Sequence, residues 1–157
     1  MMTRTLAANG AKKIYIVGRR LDKLQDAAKH APSIITPLQA DVTSIPDLKR
    51  IASQVAAESG HVNLLVCNSG VMGPNVSVQP GEVGLGEYAS KALESGMDEF
   101  VRCQETNVAA PLWTAYAFLE LLGKGNESGF LGGEVKSSII VTSSIASFSR
   151  VPASGMA

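Results

Sequence analysis

Four short apolar runs in this sequence each end in a cluster of residues able to touch a ligand. Residues 14–17 lead into Gly18-Arg19-Arg20, 34–39 into Ala40-Asp41-Val42-Thr43, 62–67 into Asn68-Ser69-Gly70, and 138–142 into Ser143-Ser144. A guanidinium pairs with phosphate oxygens through charge-assisted hydrogen bonds. The Asp41 carboxylate accepts from amines and hydroxyls, and Gly70 lets a ligand approach the backbone closely. A hydroxyl of the Ser143-Ser144 pair could stabilise an oxygen that gains charge during a reaction. A fifth stretch, Thr106-Asn107-Val-Ala-Ala-Pro111, adds a structural device. Pro111 has no amide hydrogen for the carbonyl of Asn107, so a helix there should kink and free a backbone acceptor for a water or a lysine ammonium. Each cluster also has a plainer reading. Arg19 and Arg20 can be solvated residues opening a helix, where positive charge opposes the helix dipole. Asp41 can simply open a helix, Asn68-Ser69-Gly70 can be a turn after a strand, and Pro111 a break without a role.

These clusters need a scaffold that brings strand ends together. Apolar runs of strand length alternate with segments of helical period, the mark of a parallel sheet covered by helices. The runs are rich in branched residues, as strands buried on both faces tend to be. Leu21, Leu24 and Ala28 share one face of a first helix; Ile45, Leu48, Ala52 and Val55 share one face of a second. Ser44 is placed to cap that second helix, with Pro46 in its first turn. Residues 1–8 followed by Asn9-Gly10 read as a helix ending in a glycine stop. Two glycine-rich stretches, 73–96 and 123–133, read as loops, with a short helix at 88–93 inside the first.

Composition narrows the function classes. The 157 residues are 45% hydrophobic, enough for one packed domain. Fourteen basic residues balance fourteen acidic ones, so no positive field draws nucleic acid or an anionic membrane. No apolar run reaches the roughly 18 residues of a membrane span, and residues 1–6 lack a signal-peptide core. The chain therefore reads as soluble and cytoplasmic. Cys67 and Cys103 fit neither metal-ligand spacing nor a disulfide framework and read as buried free thiols. His30 and His61 have no ligand partners nearby in sequence and read as surface residues. No metal site is expected.

Taken in order, Asp41-Val42, Asn68-Ser69-Gly70, the helical Asn107 and Ser143-Ser144 resemble the short-chain dehydrogenase/reductase family over nearly the whole chain. Ser69 stands where the family usually has alanine. Each motif is weak alone; together, at the family's intervals, they are specific. The resemblance implies a Rossmann-like, doubly wound parallel α/β sheet and hydride transfer between NADP(H) and a small-molecule carbonyl or secondary alcohol. It places Arg19 and Arg20 at the ribose of the adenosine half, where a guanidinium suits the 2′-phosphate of NADP(H) and an acid would repel it. It gives Asp41 and Val42 to the adenine. Asn68, Ser69 and Gly70 become cofactor contacts, with Asn68 either bracing the neighbouring strand or touching the ribose. Arg102 acquires a cofactor contact, an exposed helical arginine being the alternative. Asn107 enters a water-linked proton relay, and Ser144, with Ser143 structural, binds the substrate carbonyl. Copies would pair through the long helix that includes Asn107. The glycine-bearing loop is similar to loops of fungal members.

The resemblance also implies parts that the sequence does not contain. The family's glycine-rich loop would precede residue 1, and its Tyr-x-x-x-Lys motif would follow the segment at 151–157. Tyr88-Ala-Ser-Lys91 imitates that motif, but its spacing is three and it precedes the serine. Residues 1–157 are thus expected to form a partial NAD(P)-binding Rossmann domain, truncated at both ends, without the first strand and the C-terminal strands. The strands left are two separate pairs with open edges. Such a fragment is expected to be unstable or to aggregate, to bind dinucleotide weakly, and to be inactive. The alternative is a non-catalytic protein that senses dinucleotide or binds a partner through the same fold.

Overall fold

Strands and helices alternate along the first part of the chain as the apolar pattern requires. A computed structural model describes residues 2–79, 81–128 and 134–144. The elements are α1 (Met2–Ala8), β1 (Ile14–Gly18), α2 (Leu21–Ala28), β2 (Ile35–Gln39), α3 (Ile45–Ser59) and β3 (Leu64–Cys67). They continue with α4 (Leu85–Glu94), α5 (Met97–Gln104), a π-helical turn (Glu105–Ala109), α6 (Ala110–Glu127) and β4 (Ser138–Val141). The glycine stop after α1 is present. Gly10 takes φ +88°, and the Ala11 amide reaches back to the Leu6 carbonyl at 3.1 Å, closing a Schellman turn. The segment at 151–157 lies outside the described residues.

Among the described residues two parallel pairs make up the sheet structure, β1 with β2 and β3 with β4. In the first, the register runs from Ile14 opposite Ile35 to Gly18 opposite Gln39, so both strands end together. In the second, Ser138 N–H donates to Asn63 and Thr142 N–H to Cys67. Partner numbers rise together, which makes this pair parallel as well.

The chain divides into two compact units, Met1–Leu65 with Trp113–Ile140 and Val66–Leu112 with Val141–Ala157. The first holds a core of Leu38, Ala40, Leu48, Ile51, Ala52, Val55, Phe118, Leu121 and Leu122. Four of these come from α3, whose i, i+3, i+4, i+7 spacing turns them to one side. Burial of a Leu48, Ile51 or Val55 side chain contributes about 1.5–3 kcal/mol. Ser44 caps this helix by accepting from the Asp47 amide at 3.3 Å, and Gly60 closes it in a left-handed conformation. In the second unit, α4 leaves Leu85 and Leu93 almost fully exposed.

Several expectations need correction. The stretch at 123–133 is not all loop, because α6 continues through Gly123 and Gly125 to Glu127; Gly129, Gly132 and Gly133 lie outside the described residues. Tertiary contact overrides glycine's poor helix propensity there. A Cβ on Gly125 would collide with the Val62 carbonyl and the Ser137 hydroxyl, so only glycine lets the helix lie this close to the chain entering β3. The Val62 amide donates to Leu121 at 3.0 Å and locks the approach. The helix at 88–93 is longer, Leu85–Glu94. Ile45, expected on the core face of α3, is 45% exposed at its first turn. β4 is not buried on both faces: Ile139, Ile140 and Val141 are 43%, 49% and 54% exposed. Branched apolar residues set its strand conformation, but about half of each of these residues is left exposed.

Candidate functional site

In the first unit, the paired ends of β1 and β2 open onto a cavity of about 310 Å³ lined by Arg19, Gln39, Ala40, Asp41, Asp47 and Arg50. The Ala40 amide donates to the Gly18 carbonyl at 3.0 Å and extends the ladder by one bond. Arg19 and Asp41 therefore emerge side by side, with Nη1 of Arg19 3.9 Å from Oδ2 of Asp41. Arg19 is largely exposed and the separation is long, so this ion pair stabilises little. Oδ1 of Asp41 accepts from the Thr43 amide at 2.9 Å and its hydroxyl at 2.7 Å. This is an Asx turn, and those two bonds, more than Arg19, hold the Asp41 carboxyl below its ordinary range. Asp41 thus shapes the turn into α3 through Oδ1, which is the plainer of its two readings. Val42 packs half-buried against the core. Arg20 is exposed at the N-cap of α2 and makes no cap bond.

Three residues of this cavity were not singled out from the sequence. Gln39 donates from Nε2 to the Arg19 carbonyl at 2.9 Å. Asp47 accepts the Asp41 amide at 2.8 Å, which keeps its carboxyl low. Arg50 bonds Asp47 at 3.0 Å and the Gln39 carbonyl at 2.7 Å. One signal was available, because Ser44-Ile-Pro-Asp47 has the serine-to-acid spacing of a helix N-terminus. A larger cavity, about 340 Å³ beside Arg4 and His30, sits before the start of β2. Ligands of open parallel sheets bind beyond the carboxyl ends of strands, which favours the Arg19 cavity. In the larger cavity His30 is exposed and accepts from Arg4.

In the second unit, Asn68 accepts from the Thr142 hydroxyl at 2.9 Å, so of its two expected roles it visibly takes the bracing one. Ser69 and Gly70 are exposed beyond β3. The Asn107 side chain holds the next residue: Oδ1 accepts from the Val71 amide at 2.9 Å, and Nδ2 donates to the Val71 carbonyl at 2.8 Å. Its carboxamide thus acts as a one-residue strand partner. A Cβ on Gly70 would lie 3.4 Å from Asn107 Oδ1, a tight contact. Just before Pro111, where a kink was expected, the chain forms the π-turn, in which the Ala110 amide bonds Glu105 instead of the carbonyl four residues back. Pro111 offers no hydrogen to the Asn107 carbonyl.

Ser143 and Ser144 are exposed just past β4. Arg102 is exposed in the last turn of α5. Both cysteines are free thiols; Cys67 is buried, which pushes its thiol pKa up, whereas Cys103 is only half-buried. Among the described residues no helix is long and apolar enough to cross a membrane. The structure brings Arg19 and Asp41 together in one unit and Asn68, Gly70 and Asn107 together in the other.

The family model for short chain dehydrogenases matches residues 1–156. A short-chain dehydrogenase/reductase of Diaporthe leptostromiformis is 41% identical over 158 residues, covering 97% of this chain and 52% of that protein. An alcohol dehydrogenase from the archaeon Thermococcus sibiricus, solved with 5-hydroxy-NADP, superposes with a TM-score of 0.65 at 19% identity, over 98% of this chain and 56% of that one. A 3-ketoacyl-(acyl-carrier-protein) reductase from Brucella melitensis, solved with NADH, gives 0.69 at 18%, over 92% and 52%. The chain spans about half the length of the curated relatives it matches. The fold is Rossmann-like, of the type that binds nicotinamide dinucleotides. With its strand-end motifs in family order and the match running almost from end to end, the chain belongs to the short-chain dehydrogenase family.

Proposed function

We propose that this chain supplies the cofactor side of an NADP(H)-dependent oxidoreductase that interconverts a small-molecule carbonyl and a secondary alcohol. The observation carrying the cofactor choice is the cavity at the end of β1, where Arg19 projects beside Asp41. Its donor set fits the adenosine end of a phosphorylated dinucleotide. The guanidinium pairs with a 2′-phosphate, and the outward Oδ2 of Asp41 accepts from the adenine amine. Val42 and Arg102 are further cofactor contacts in this reading. The bound nicotinamide supplies or takes the hydride. Asn68 and Asn107, by fixing the chain on either side of Ser69 and Gly70, hold that turn open for close backbone approach. Ser144 donates a hydrogen bond to the substrate oxygen as charge develops on it. The Asn107 carbonyl, which Pro111 leaves without its usual donor, holds a water of the proton relay.

The 157 residues are read as inactive alone in hydride transfer. Tyr15, Tyr88 and Tyr116 are followed four residues on by Arg19, Ala92 and Glu120, none of them the lysine that lowers a catalytic tyrosine's pKa. Two free thiols support a cytoplasmic setting. Pairing of two copies through α6 is supported by the exposed Trp113, Tyr116 and Leu119, of which the first two stack edge to face.

The decisive measurement compares NADPH and NADH binding to the chain and to Arg19→Glu. NADPH is expected to bind the unaltered chain more tightly, and the substitution to weaken NADPH at least about tenfold while sparing NADH. Equal affinity of the unaltered chain for the two would remove the NADP(H) reading. Binding with no turnover in any longer form that carries Tyr-x-x-x-Lys would favour a dinucleotide sensor.

A further inference from the structure

Arg19 and Asp41 do not hold their own positions. Gln39, the last residue of β2 and the register partner of Gly18, gives its side-chain amide to the Arg19 carbonyl at 2.9 Å. Its own carbonyl takes Nη2 of Arg50 at 2.7 Å. That same guanidinium reaches Oδ1 of Asp47 at 3.0 Å, and Oδ2 of Asp47 takes the Asp41 amide at 2.8 Å. One side chain on α3 is thus linked by two hydrogen-bonded routes to both residues read as cofactor contacts. Each route ends on backbone, so it sets where Arg19 and Asp41 stand and leaves their side chains available to a ligand. Both bonds leave from Nη2, whose two hydrogens are fixed in the guanidinium plane, whereas the three hydrogens of a lysine ammonium rotate at the end of a flexible stem and do not fix those two directions.

We propose that Arg50 is a positioning residue of the adenosine site, setting the spacing of Arg19 and Asp41 through Gln39 and Asp47 and thereby the preference for 2′-phosphorylated adenosine. The proposal rests on the NADP(H) reading above. It is tested by titrating the full chain with adenosine 2′,5′-bisphosphate and with AMP and taking the ratio of the two affinities. The unaltered chain is expected to prefer the bisphosphate. Arg50→Met should lower the ratio roughly fivefold, the effect of one lost hydrogen-bond relay, and Arg50→Lys should not restore it. Gln39→Met, which changes no charge and leaves Arg50 in place, should lower it as well. A ratio unchanged in Gln39→Met, or fully restored by Arg50→Lys, overturns the positioning role, the second because charge alone would then attract the phosphate. Equal weakening of both ligands in Arg50→Met would mark a merely structural residue and also overturn it. No preference in the unaltered chain would instead bring down the NADP(H) reading, and this inference with it.

Discussion

Asp41 divides its carboxylate between two tasks, with Oδ1 fastened to Thr43 and Oδ2 turned to Arg19. Its pKa is lowered on folding, as is that of Asp47. A carboxyl depressed in the folded state binds its proton later than the unfolded chain does. Its contribution is therefore present above the unfolded value, about 3.9, and is lost as pH falls through the folded value. Thermal unfolding midpoints are expected to stay level above about pH 5 and to drop below about pH 4. Asp41→Asn should be less stable at neutral pH and show a shallower drop; an unchanged acid limb would contradict this. Arg19 and Asp41 were legible in the sequence because they stand where apolar runs stop. Gln39 and the reach of Arg50 to it were not, because those two bonds end on backbone carbonyls 20 and 11 positions away, and no side-chain pattern records such contacts.

At the scale of elements, α6 shows what propensity misses. Gly123 and Gly125 suggested a loop, yet both are helical, and they differ in surroundings. Nothing lies within 4 Å of a Cβ built on Gly123, whereas one on Gly125 meets backbone. Gly123→Ala is expected to stabilise the helix by about 0.5–1 kcal/mol. Gly125→Ala should cost about 1–3 kcal/mol through overpacking. Chemical denaturation of the pair checks this, and equal effects would refute the close-approach account. The disturbance of the α-helical bonding before Pro111 was readable because a missing amide hydrogen is a property of the residue itself. The clamp from Asn107 onto Val71 was not, since it closes over 36 positions of sequence. The α3 face was legible in Leu48, Ala52 and Val55, whereas Ile45 is exposed and Ile51, which the sequence reading left out, is buried.

For the whole molecule, the arrangement of strands into two parallel pairs followed from the order of the motifs, while the exposure of β4 did not follow from its apolar sequence. The main apolar cluster belongs entirely to the first unit, and the second carries Leu85, Leu93 and Met97 at 90%, 81% and 72% exposure. Amide hydrogen exchange should therefore be slowest in β1, β2 and α3 and fast in α4 and α5, because protection follows buried apolar contact. Uniform protection across both sets would contradict that division. Time also acts on this molecule through one carboxamide. Asn107 offers Val71 a donor and an acceptor at once; deamidation to aspartate would replace the donor with a second oxygen facing the Val71 carbonyl, turning a fastening into a repulsion. Slow chemical ageing at a single nitrogen would thus loosen the turn after β3.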